Sequence, residues 1–215
     1  MHVDIWSDVV CPWCYIGKRR FEAAVARLDD LEVDVTYRPF QLDPGAPIGS
    51  TMPAVDAYSR KFGGPERARA IIDKVTRVAA ADGLDFRLDK AKRANTHAAH
   101  RLLWWALDAD HGVSQEALKE RLLRAYFTEG LDVGDHAVLA GLAADVGADR
   151  SVAARFLAGD GGVDEVDEQL ALAGEGGITA VPTYVVADTW AIPGAQDPDV
   201  FVKALRRLAD KARAS

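Results

Sequence analysis

The chain has 215 residues and 49% of them are hydrophobic, enough to bury more core than one minimal domain needs, so one domain with a large insertion, or two domains, is expected. Its net charge is −7 with acidic and basic residues interspersed, which gives no cationic footprint for a phosphate backbone and excludes nucleic acid as an expected partner. No apolar run approaches the roughly twenty residues of a membrane helix, and the first residues form neither a basic n-region nor an apolar h-region, so no membrane association and a cytoplasmic location are expected.

The first element is a strand over residues 1–6, where Val3 and Ile5 alternate with His2 and Asp4. The only two cysteines of the chain follow, in Cys11-Pro12-Trp13-Cys14. Beyond them Phe21, Ala24, Val25 and Leu28 recur at spacings of three and four, the pattern of a helix that buries one face. Cys11 therefore falls at a strand-to-helix junction. Pro12 suits the first helical position, which puts Cys11 at the N-cap and Cys14 at the end of the first turn. The unpaired N–H groups of a helix start carry partial positive charge, and in motifs of this kind they help to pull a thiol from about 8.5 to roughly 3.5–7.5. On that geometry Cys11, exposed at the tip, is the nucleophile, and Cys14, one turn deeper, resolves the mixed disulfide.

A second strand is expected over 31–40, where Val33, Val35 and Tyr37 alternate with Asp34 and Thr36, and Asp43-Pro44-Gly45 breaks it. From Pro53 to about Ala173 helical periodicity dominates, divided by Gly63-Gly64, Gly83, Gly112, Gly134 and Gly147 into six or so helices. One runs from an Asn95 cap to Gly112, with Leu102, Leu103 and Ala106 buried, and Trp104 and Trp105 as core or as a dimer surface; the next opens at Ser114. Gly174 to Gly177 is flexible, and residues 178–187 form a third strand interrupted by Pro182. A short fourth strand spans 189–192, and Asp197-Pro198 opens a last helix through Val200, Leu205 and Leu208. The order is β-α-β, helical insertion, β-β-α: an α/β fold in which 1–45 and 175–215 make one discontinuous domain and 46–174 an all-helical one.

A four-residue disulfide removes little entropy from the unfolded chain, so the pair makes a poor staple. A zinc site needs four N or S ligands, and although His97 and His100 are three apart there is no second cysteine pair, so no metal is expected. A hydrolase nucleophile has no use for the second thiol. In a cytosolic protein such a pair is more often catalytic than structural. Pro182 is the other informative residue, because a proline inside a strand removes a ladder donor. Its default is an edge-strand trans proline. Beside the cysteines, a cis Val181-Pro182 turn would instead expose the Val181 N–H and C=O to an extended peptide or to glutathione.

Several stretches then resemble one family. Ser7-Asp8-Val9-Val10-Cys11-Pro12-Trp13-Cys14-Tyr15-Ile16-Gly17-Lys18 is highly specific; Phe40-Gln41-Leu42-Asp43-Pro44, Asn95-Thr96 with Ala99-His100-Arg101-Leu102, Phe127-Thr128-Glu129-Gly130-Leu131-Asp132, and Val181-Pro182-Thr183 with Gly194-Ala195-Gln196 carry it nearly end to end. They resemble the FrnE-like branch of the DsbA oxidoreductases, in the thioredoxin-like superfamily that also holds 2-hydroxychromene-2-carboxylate isomerases and kappa-class glutathione transferases. The resemblance implies a thioredoxin-like fold with a helical insertion, a cis Pro182 and Cys11 as attacking thiol. The isomerase and transferase branches usually carry serine where this chain has Cys11, which favours dithiol chemistry. Some FrnE-like members have a further cysteine pair; this chain has none, which excludes relay through one.

The expected function is a cytoplasmic thiol–disulfide oxidoreductase working through a redox-active Cys11–Cys14 disulfide, with no bound cofactor. The alternative is a glutathione-dependent isomerase or transferase, with glutathione as co-substrate near Cys11. Trp13 and Tyr15 either border the site as apolar substrate contacts or pack against the insertion. Gln41 and Val181 are placed with them on the substrate side, and Asn95 and His100 either face Cys11 from the insertion or are polar groups of a helix surface. Lys18, one turn beyond Cys14, is read as exposed and screened by solvent. A homodimer is compatible with the open apolar faces of a helical insertion.

Overall fold

The computed structural model describes residues 1–213. A four-stranded sheet is built from β1 (His2–Ser7), β2 (Asp34–Pro39), β3 (Thr183–Val186) and β4 (Trp190–Pro193) in the order β2-β1-β3-β4. β1 runs parallel to β2 and antiparallel to β3, which is antiparallel to β4. The parallel pair needs a crossover, supplied by α1 (Pro12–Val25), and α9 (Pro198–Arg213) closes the chain beside α1. Between β2 and β3 lie α2 (Ala54–Phe62), α3 (Pro65–Ala81), α4 (His97–Trp105), α5 (Gln115–Arg124), α6 (His136–Asp145), α7 (Arg150–Ala158) and α8 (Val163–Glu175).

The register explains one core. Val3 pairs with Val35 and Val186, and Ile5 with Tyr37 and Tyr184, so alternate residues of neighbouring strands share a face. Phe21 and Ala24 of α1, Leu28 just after it, and Phe201, Leu205 and Leu208 of α9 cover that face. The Phe21 ring lies 5.0 Å from Tyr184 and 5.2 Å from Phe201. Burial of side chains of this size contributes about 1.5–3 kcal/mol each. A second core joins the insertion helices around Leu102, Leu118, Leu122, Phe127 and Leu139, and takes in Val9, Tyr15 and Ile16 from the first turns of α1 and the residues before it. α1 thus serves both cores, and the cysteine pair at its start lies on the seam between them.

The edge of β2 is covered by one side chain. Gln115 Oε1 accepts from the Tyr37 N–H at 2.8 Å, and its Nε2 donates to the Tyr37 carbonyl at 3.0 Å and to the Leu103 carbonyl at 3.1 Å. The amide takes the place of a neighbouring strand at Tyr37, satisfying its outward N–H and carbonyl, and fixes α5 against β2.

Boundaries differ from the sequence expectation where polar side chains intervene. β2 begins at Asp34 and β3 at Thr183, so 178–182 precede the strand and Pro182 sits outside the ladder, as its missing N–H requires. The helix expected to run to Gly112 ends at Trp105; Asp108 then accepts from Asp110 N–H and starts a separate turn over Ala109–His111. Trp105 is buried and stacks on His111 with centroids 4.0 Å apart. Ser114 and Asp197 do cap the helices they open, accepting from the N–H groups of Ala117 and Asp199.

Candidate active site

Cys11 occupies the N-cap of α1 with extended backbone (φ −88°, ψ 114°), Pro12 follows in the first turn, and the Cys14 N–H donates to Cys11 Sγ at 3.3 Å. The cap side chain is thus a sulfur receiving a hydrogen bond from the helix start. Cys11 Sγ also lies 3.7 Å from the Val181 carbonyl oxygen, and the Val181–Pro182 peptide bond is cis. Both cysteines are free thiols.

The expectation of an exposed tip is corrected: only 2% of Cys11 is accessible. It forms part of the floor of a cavity of about 570 Å³, because the chain from Met52 through α2 folds over the start of α1. Trp13, 38% exposed, Val181 and Met52 line this cavity together with Tyr58 and Tyr126. Arg60, Lys61 and Arg93 add cationic groups, Arg93 holding Asp43 through two bonds of 2.7 and 2.9 Å. That volume lies within the range of small-ligand sites, about 300–1,000 Å³. Cys11 lines the cavity and Cys14 does not, although the two thiols are almost equally buried, at 2% and 3%.

The Cys14 thiol is pushed well up by burial first and by the neighbouring Cys11 second, while Lys119 and the Asp8 backbone pull it down. The ordinary state of Cys14 is therefore the neutral thiol, and something must draw its proton away before it can attack.

Four expected substrate-side residues are not among those lining the cavity. Tyr15 turns into the second core, stacked 5.8 Å from Phe86, with its hydroxyl donating to Glu120 at 2.8 Å; its packing alternative is the one found. Gln41 Nε2 donates to Thr96 Oγ1 at 3.4 Å. Asn95 is a strap, donating to the Ala46 carbonyl at 2.9 Å while accepting from His97 N–H at 3.0 Å. His100 is buried, its Nε2 3.0 Å from the Phe40 carbonyl and 3.2 Å from Asp8 Oδ1, and burial holds it below the ordinary imidazole range against the opposing pull of Asp8. Its hydrogen bonds hold the loop after β2 against the residues that follow β1. Lys18 is also corrected: it is buried, bridging Glu22 and Glu120, the latter at 2.9 Å.

Two residues that matter here were given no role of their own in the sequence. Gly17 lies inside α1, where a Cβ would come 2.6 Å from Tyr184 Oη and 3.0 Å from Pro182 Cγ; the missing side chain lets α1 approach the turn that carries Val181. Lys119 is 1% exposed beneath the cysteines. A glycine in a helical pattern was visible in the sequence, but a lysine on a charged helix reads as surface.

A model of the DsbA-like thioredoxin domain matches residues 2–206, so the chain belongs to the DsbA-like thioredoxin family, a class of thiol–disulfide oxidoreductases. The uncharacterized protein YwbO of Bacillus subtilis (strain 168) is 30% identical over 207 residues, covering 95% of this chain and 96% of YwbO. Among solved structures, a probable DsbA oxidoreductase from Streptomyces coelicolor superimposes with a TM-score of 0.88 at 36% identity, covering 96% of this chain and 89% of that one. The cytosolic disulfide reductase DsbM of Pseudomonas aeruginosa, also solved with GSH, shares the fold at 18% identity, with a TM-score of 0.66 over the whole of both chains.

Proposed function

We propose that the protein is a cytoplasmic thiol–disulfide oxidoreductase whose working group is the Cys11–Cys14 pair. The observation that carries this is the division of labour between the thiols: Cys11 lines a cavity and receives a hydrogen bond from the helix start, while Cys14 lies behind it within the same turn. In the reducing direction the Cys11 thiolate attacks a substrate disulfide, forms a mixed disulfide and releases one substrate thiolate. Cys14 then attacks Cys11 Sγ, the Cys11–Cys14 bond forms, and the second substrate thiolate leaves carrying the other electron pair. Two glutathione molecules, oxidised together to their disulfide, restore the dithiol. Run backwards, the same steps oxidise a substrate dithiol.

The cavity suits a small disulfide or an extended segment of peptide, with Arg60 and Lys61 as partners for carboxylates. Trp13 offers an apolar contact beside Cys11, and the Val181 carbonyl, already 3.7 Å from Cys11 Sγ, is an acceptor for a substrate backbone N–H. DsbM, solved with GSH, supports glutathione as the co-substrate, and its description as cytosolic supports the compartment.

The test uses the two single variants with glutathione disulfide. Cys14→Ser is expected to accumulate a stable glutathione adduct on Cys11, and Cys11→Ser to form none and lose all turnover. Glutathione-dependent turnover retained by Cys11→Ser would overturn the dithiol reading in favour of the isomerase or transferase alternative.

A further inference from the structure

Tyr126 lines the cavity, yet the steps above give it no role. It stands on a π-helical turn, Ala125–Glu129, that continues α5 directly and stops at Gly130, where φ is +71°. Wide turns of this kind are rare and recur at functional sites. This one is held at several points. The Phe127 carbonyl accepts from the Arg87 N–H at 2.6 Å, Thr128 Oγ1 donates to the Asp85 carbonyl at 2.8 Å, and Glu129 takes two bonds from Arg121, at 3.0 and 2.9 Å. Within the turn the two neighbouring rings part company: Phe127 enters the second core, 4.5 Å from Phe86, and Tyr126 goes to the cavity.

Only 4% of Tyr126 is accessible, and its hydroxyl makes no hydrogen bond among the described residues. Unlike the Tyr184 hydroxyl, which is sealed from solvent without a partner, the Tyr126 hydroxyl is not sealed, so it opens on the cavity that the residue lines. Tyr58 of α2 brings a second hydroxyl of the same kind to the same cavity. A buried hydroxyl left without a partner costs stability that phenylalanine would not, so packing alone does not account for either oxygen. Burial pushes both phenols above their ordinary range, so each is a neutral hydroxyl that can donate as well as accept.

The charges around the cavity have the same sense. Arg93 is committed to Asp43, whereas Arg60 makes no ion pair among the described residues and Lys61 donates to the Leu42 carbonyl at 3.4 Å with no carboxylate partner. Two uncompensated cations therefore border a cavity whose other walls include Trp13, Met52, Phe62 and Ile71. An anionic group on an apolar body matches that lining.

We propose that Tyr126, together with Tyr58, selects the substrate: its hydroxyl binds an oxygen of a small disulfide that bears a carboxylate, while one sulfur of that disulfide reaches Cys11. A volume of about 570 Å³ is that of a small-ligand site, and a protein cystine would have to bring two chain segments to a thiol of which 2% is accessible. Tyr126 acts on the part of the substrate outside the reacting sulfurs, and the thiol–disulfide exchange itself is unchanged.

This rests on the cavity being where the Cys11–Cys14 pair meets its substrate, and the experiment tells the two failures apart. The reduced protein and its Tyr126→Phe variant are mixed with dithiodipropionate, whose carboxylates flank the disulfide, with diethyl disulfide, which has a similar core and no oxygen, and with insulin. Thiol loss is followed against substrate concentration. A hydrogen bond to a charged group is worth about tenfold or more in binding. Tyr126→Phe is therefore expected to lower the second-order rate with dithiodipropionate at least about tenfold, through KM with kcat within about twofold, and to show no loss of that size with diethyl disulfide. Equal losses with both small disulfides, or none with either, overturn the role of Tyr126. A second-order rate highest with insulin overturns the substrate class. Failure of the unaltered protein to reduce any of the three overturns the dithiol reading instead. If Tyr126→Phe does not fold, Tyr58→Phe on the half-buried Tyr58 carries the same comparison: a loss confined to dithiodipropionate is expected, and equal losses refute the proposal.

Discussion

Gly17→Ala gives a direct reading of how closely α1 must approach the Val181–Pro182 turn. In an exposed helix the change stabilises, since glycine is about 0.8–1.0 kcal/mol worse than alanine there. Here the new methyl would lie 2.6 Å from Tyr184 Oη, 3.0 Å from Pro182 Cγ and 3.3 Å from Ala195 Cβ. Tyr184 cannot swing away, because its ring packs 5.0 Å from Phe21 and 4.7 Å from Phe201 and is fully buried. The relief must come from α1 and the turn moving apart by several tenths of an ångström or more. Overpacking of this kind costs about 1–3 kcal/mol, so after the helix gain the net loss is about 0–2 kcal/mol, or up to roughly 8 °C in Tm for a chain of this size. The displacement also widens the gap between Cys11 Sγ and the Val181 carbonyl, so the second-order rate with a small disulfide is expected to fall. Thermal unfolding and stopped-flow reduction of glutathione disulfide read the two effects. A Gly17→Ala protein more stable than the parent and equally fast would refute the account of why a glycine stands there.

Three further outcomes follow from the geometry. Gln115→Leu leaves the Tyr37 N–H and carbonyl buried without partners, at about 1–3 kcal/mol each, so the urea midpoint should drop by the equivalent of roughly 2–6 kcal/mol; an unchanged midpoint would mean that water reaches these two groups. His100 is held neutral by burial, so its folded value lies below its unfolded one and the unfolded chain binds the extra proton. Its contribution is complete above about pH 6.5 and is lost as pH falls through the lower folded value, so His100→Gln should flatten the acid side of the stability curve, whereas parallel curves would contradict it. Arg93 holds Asp43 below the usual carboxylate range, chiefly through its hydrogen bonds. The stability gap between the parent and Arg93→Met should therefore be present at neutral pH and close as pH falls below about 4, and a gap that persists in acid would show that Arg93 acts by packing instead.

The parts of the fold legible in the sequence were those written in local patterns. Alternation at Val3, Ile5, Val33, Val35 and Tyr37 marked the two parallel strands, and Pro12, Ser114 and Asp197 marked helix starts, because caps and periodicity act within one turn. The N-cap position of Cys11 followed from the same local rule. What was hidden depends on contacts across the chain. Cys11 was expected to be exposed, and its burial comes from residues some forty to fifty positions later folding over it. Tyr15, Gln41, Asn95 and His100 belong to matching stretches, yet the structure uses them to fasten loops and core, since a residue's partners are fixed by tertiary placement. Lys18 and Lys119 were misread or unread for one reason: a lysine on a charged helix is nearly always solvated, and only the docking of α5 on α1 and β2 buries these two.

The central claim, that Cys11 and Cys14 work as one two-electron couple, is tested most directly by equilibrating the protein over a series of reduced and oxidised glutathione ratios, with mass spectrometry counting the species at each. The expected result is a single transition between dithiol and intramolecular Cys11–Cys14 disulfide, with glutathione adducts never more than a minor fraction. A glutathione adduct that persists on Cys11 as the main oxidised form, or a pair that stays reduced across the whole range, would contradict it.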